Sequence, residues 1–84
     1  MTGHALSREA LDKALLAAHA SGDTDALVHL YTCAADLAES HSETDASCFF
    51  LTQAFVFALE VGHPQARVLN ARLAEQGRSQ PLPL

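Results

Sequence analysis

The chain has 84 residues, enough for one small domain, and 49% of them are apolar, with 16 Ala and 13 Leu but no Ile or Trp. That mixture favours helix over strand, and apolar content this high beside 18% charged residues excludes a wholly disordered chain. Ten acids against five bases give a formal charge of −5, which argues against a nucleic-acid or anionic-membrane partner.

Residues 1–6 read as a tail; no basic stretch leads into an apolar run, so no signal peptide is expected. Ser7 is a good N-cap for a first helix running to about Ser21, with Glu9 in the first turn where the helix dipole favours acids. Gly22 suits the left-handed position that ends it. Asp23 or Thr24 then caps a second helix, about Asp25 to Ser40. Its polar residues Asp25, His29, Thr32, Asp36, Glu39 and Ser40 share one arc of the wheel.

His41-Ser42-Glu43-Thr44 reads as a loop, with Thr44 or Asp45 capping a third helix that runs to Val61 and stops at Gly62. The apolar stretch Ala46 to Val61 is broken by Ser47, Thr52, Gln53 and Glu60. It falls short of the roughly 20 residues that span a bilayer, so no membrane segment is expected. Pro64 is preset for the first helical position, which starts a fourth helix at once and carries it to about Gln76. Gly77 closes it, and residues 78–84 read as a frayed, partly extended tail. The expectation is an all-α single domain over residues 7–77, made of two helix–turn–helix units at 7–40 and 45–77. Turns this short predict antiparallel neighbours.

An internal repeat supports the division into two units. At an offset of 40 residues Gly22 falls on Gly62, and Ser7/Ser47, Leu11/Leu51, Ala14/Ala54, Ala18/Ala58, Ala26/Ala66, Val28/Val68 and Ala34/Ala74 also coincide. The matched sites step by three or four residues through most of the first unit, which is helical spacing. With Ala14, Ala18, Gly22, Ala26, Leu30 and Cys33 or Ala34 in the first unit, and Ala54, Phe57, Ala58, Gly62, Ala66 and Leu73 in the second, the chain resembles the tetratricopeptide repeats. The resemblance covers about Ser7 to Gly77 and implies helix pairs stacked through small residues. The period is longer than the usual one of about 34 residues, the family's helix A Trp and Tyr positions are not filled, and no Pro closes either unit. A plain four-helix bundle produces the same pattern.

Residues able to carry chemistry are few. His29 and Cys33 stand at i and i+4, a spacing that puts two metal ligands on one helix face. Completing that site needs His41, Cys48 or a partner's histidine, and neither CxxC nor HxxxH occurs, so the cysteine is expected to be a small packed residue and no metal or cofactor is expected. Cys33 and Cys48 allow at most one bridge, in helices rather than in a loop-rich scaffold, which points to a reduced, cytoplasmic protein. His19, His41, Asp12, Asp36 and Glu39 read as solvated, and His63 as a cap or a lead-in to the fourth helix. Arg67, Arg72 and Arg78 read as complements to that helix's dipole. With no phosphate loop, nucleophile elbow or Ser–His–Asp order, the chain is not expected to be an enzyme.

The third helix carries the sharper signal. Its polar arc holds Asp45, Thr52, Gln53 and Glu60, and inside that arc sit Phe49 and Val56. Leu16 breaks the polar side of the first helix in the same way and is the repeat counterpart of Val56. Two readings stand. Either helix three is central and Phe49 and Val56 are core, or they form an apolar patch. The patch reading gives a non-catalytic interaction module in which Leu16, Phe49, Thr52, Gln53 and Val56 border the site for a protein or peptide partner. That partner could be another copy of the chain, making a structural homodimer; a small metal- or ligand-sensing bundle is the third class.

Overall fold

The computed structural model describes residues 7–77. It is all-helical: α1 spans Arg8–Ser21, α2 Thr24–Ser40, α3 Thr44–Val61 and α4 Gln65–Glu75, with no strand among the described residues. The expected tails, 1–6 and 78–84, and Arg78 lie outside the described residues.

Local chemistry sets most of the boundaries. The Ser7 hydroxyl accepts from the Ala10 N–H at 3.0 Å, and the Asp23 carboxylate accepts from the Ala26 N–H at 3.1 Å, so Asp23 rather than Thr24 caps α2. Gly22 and Gly62 sit at φ +68° and +65°, and in each case the next residue's N–H returns to a carbonyl five residues back, Asp23 to Ala18 and His63 to Ala58. The turn after α2 makes the same closure without glycine: Glu43 N–H donates to the Ala38 carbonyl while Ser42 takes φ +58°. A side chain in that region is strained.

Two boundaries differ from expectation. Helix α3 starts at Thr44 with Glu43 at its N-cap position, and no side chain caps it; Asp45 lies in its first turn. Pro64 stands just before α4 rather than at its first position, and the His63 ring supplies the cap, its Nδ1 accepting from the Gln65 N–H at 3.0 Å.

The broadest helix contact joins α2 to α3, with α1 packed against α2 and α4 against α3. Val28 and Ala35 of α2, Cys48, Leu51, Ala54 and Ala58 of α3, and Ala66, Leu69 and Leu73 of α4 form one buried cluster. Ala54 and Ala58 are fully buried, so the small side chains are what let the helices approach. The packed position expected of Cys33 is corrected: it is exposed, because its place on α2 lies outside the faces covered by α1 and α3, whereas Cys48 is buried.

Candidate partner-binding face

Helices α1 and α3 both lie against α2 and leave a cleft of about 150 Å3 between them. Leu11, Asp12 and Leu15 form one wall, Ala46 and Phe50 the other, and Ala34, Leu37 and Ala38 of α2 the floor. Arg8 reaches across one end to Glu43 at 3.3 Å, an exposed pair of the kind that adds little stability.

The other end of this junction is aromatic. His19 Nε2 and the Tyr31 hydroxyl are 3.0 Å apart, and the Tyr31 ring stacks on Phe57 and Phe50 at centroid separations of 5.9 and 6.3 Å. His19 also meets Phe57 edge-on at 5.9 Å. His19 is exposed, in keeping with the solvated reading, and it also ties α1 to an aromatic wall shared by α2 and α3. No periodicity within α1 signals this, since the partners come from two other helices.

None of the partner-site residues singled out in the sequence lines this cleft; Phe49 adjoins it through Phe50. Leu16 lies four residues after Asp12 and three before His19, both of which face α3, so one helical face carries all three. Leu16 is 71% exposed, Phe49 57% and Val56 46%, which excludes them from the core of this chain. The Phe49 ring meets Phe50 of the cleft wall edge-on at 5.5 Å. Thr52 is exposed and its hydroxyl donates to the Cys48 carbonyl at 2.9 Å, while Gln53 is half-buried. Sequence reasoning missed a second exposed group, Leu59, Val61 and Val68, near the turn between α3 and α4.

From Thr44, α3 is 18 residues with mean hydropathy 1.2, long and apolar enough to cross a membrane, although the stretch from Ala46 looked too short for that. The start two residues earlier makes the difference. Its back is packed on α2 and α4, and its exposed apolar residues lie on the opposite side.

His29 meets His63 edge-on, with centroids 5.6 Å apart, and Cys33 is exposed. The His63 Nδ1 is engaged by the Gln65 N–H. Among the described residues no group of three or more His, Cys, Asp or Glu side chains is arranged to hold a metal ion. Asp36 and Glu39 are exposed, in keeping with the solvated reading, and both also receive Arg72, at 2.8 and 3.4 Å; Arg72 lies in the last turn of α4 and so spans to α2. No family model, curated protein or solved structure matches the chain.

Proposed function

We propose that the chain is a small non-catalytic protein–protein interaction module that receives a partner peptide or helix on the α1–α3 face. One observation carries the reading. Leu16, Phe49 and Val56 are each about half exposed or more, and Phe49 meets Phe50, a wall of the apolar-floored cleft between α1 and α3. Apolar groups gathered beside a cleft mark interaction sites more often than scattered surface leucines do.

A tetratricopeptide-like, antiparallel arrangement is the architecture we favour. Arg8–Glu43 joins the start of α1 to the start of α3, and Arg72 joins the end of α4 to the end of α2. Those pairings suit α1 and α3 in one layer and α2 and α4 in the other. The unpaired thiols of Cys33 and Cys48 suit a reducing, cytoplasmic setting.

The test compares the wild-type chain with the double variant Phe49→Ser/Val56→Ser as immobilised bait in an extract of the native host. Circular dichroism establishes equal helicity first. Partners retained by the wild type and lost by the variant support the module; an identical retained set removes it. Unfolding of the variant would return both residues to the core and end the interface reading. Light scattering on both proteins separates a second copy from another partner.

A further inference from the structure

We infer that α1 is a lid: it lifts as a unit from α2 and α3 about the turn at Gly22 and Asp23 while α2, α3 and α4 stay folded. The inference stands apart from the partner-binding reading, since it concerns the chain alone and its test needs no partner. Burial sets α1 apart. Its 14 residues fully bury only Leu11 and Ala18, whereas the 11 residues of α4 bury Ala66, Leu69, Asn70 and Leu73. Among the described residues, the buried cluster that joins α2, α3 and α4 contains no residue of α1. The α1–α2 contact is also the narrowest of the helix contacts, and a cleft remains where α1 faces α3. Local opening follows apolar burial, so the helix with the least of it leaves first.

The ties of α1 to its neighbours at either end are polar or at the surface. Arg8 bonds Glu43 at one end, and His19 meets Tyr31 and Phe57 at the other. Arg8, Glu43 and His19 are all exposed, so water takes over their hydrogen bonds when the contacts part. The hinge is built to let α1 go. Gly22 already sits in the left-handed region, and the Asp23 carboxylate accepts from the Ala26 N–H, so α2 keeps its own cap whether or not α1 is seated. Val28 and Ala35 of α2 likewise stay in the cluster with α3 and α4. Lifting α1 bares Ala34, Leu37 and Ala38 of α2 and Ala46 and Phe50 of α3. The apolar groove so opened is one helix wide, because its occupant in the closed chain is α1 itself. A helix of 14 residues is marginal in water, so a lifted α1 unwinds and its amides exchange.

Native-state hydrogen exchange on the full chain, followed by NMR in rising sub-denaturing urea, tests the lid. After correction for intrinsic rates, amides 12–21 of α1 should exchange at least about tenfold faster than amides 51–58 of α3, with a shallower urea dependence. Leu69→Ala, in the cluster shared by α3 and α4, should speed amides 51–58 at least about tenfold. It should change the α1 amides by less than about twofold, because α3 and α4 remain native while the lid is open. Leu11→Ala should speed both sets at least about tenfold, since the burial of Leu11 is lost in the open and the unfolded states alike.

If the two sets of amides speed up together in Leu69→Ala, the four helices open as one cooperative unit and the lid is overturned. Rates within α1 that climb steadily toward Arg8 show fraying from one end, which overturns it too. So does an α1 exchange rate that Leu11→Ala leaves unchanged. Should Leu69→Ala fail to fold, the wild-type urea slopes decide: a shallow slope for α1 beside a steep one for α3 supports the lid, and equal slopes overturn it.

Discussion

The two helix pairs carry matched residues 40 positions apart, yet the matches live in different surroundings. Leu11 and Leu51 are both buried, as are Ala18 and Ala58, and Gly22 and Gly62 share the left-handed turn conformation. Val28 is fully buried, whereas its counterpart Val68 is 49% exposed. Ser7 caps a helix at the surface, whereas Ser47 is buried inside one. The cause is the number of neighbours. Helix α2 is packed broadly against both α1 and α3, while α4 packs on α3 and reaches α2 at the Arg72 bridge, so a residue type repeated in sequence need not be repeated in burial.

The largest effect should come from the valines. Val28→Ala removes two methyl groups from a fully covered site and should cost about 2–3 kcal/mol in a denaturant melt, against about 0.5 kcal/mol or less for Val68→Ala. Equal costs would mean that α4 has a further neighbour in solution. The alanines come next. Ala54→Leu intrudes on a fully buried contact and should cost about 1–3 kcal/mol, whereas Ala14→Leu, at a half-buried site, should stay within about 0.5 kcal/mol.

What was legible in the sequence follows from the range of the interactions involved. Ser7, Asp23, Gly22 and Gly62 act on backbone within a few residues, so they could be read in place. The exposed positions of Phe49 and Val56 were half legible: Asp45, Thr52, Gln53 and Glu60 frame them on the same helix, but a central third helix would have buried them equally well. The start of α3 was less legible, since no side chain caps it and the preceding turn uses a positive-φ serine, which leaves little chemical signature. Least legible were the His19–Tyr31–Phe57 wall and the Arg72 bridge. Each joins residues of different helices, and neither separation follows a helical period.

The glycines should behave alike where the valines do not. Neither Gly22 nor Gly62 has an atom within 4 Å of where a Cβ would stand, so a substitution meets no steric wall and its cost is conformational. Gly22→Val and Gly62→Val should each lose about 1–2 kcal/mol, equal within error, by thermal or denaturant unfolding. Unequal losses would show that one turn relaxes out of the left-handed region and the other does not.

The smallest effect is also the one that reverses sign across the repeat. Ser7→Ala deletes a hydroxyl that accepts the Ala10 N–H, and such a cap loss typically costs about 0.5–2 kcal/mol. Ser47 is 2% exposed, and its Oγ is buried without a hydrogen-bond partner among the described residues. A buried hydroxyl left unpaired has lost its water and gained nothing in return, so removing it leaves the surrounding atoms better off. Alanine also has the higher helix propensity and fits the same space. Ser47→Ala should therefore raise stability by about 0.5–1 kcal/mol, a Tm increase of a few degrees for a domain of this size. If the variant melts lower than the wild type, the hydroxyl is paired in solution, and Ser47 contributes to the α3 core as a bonded group.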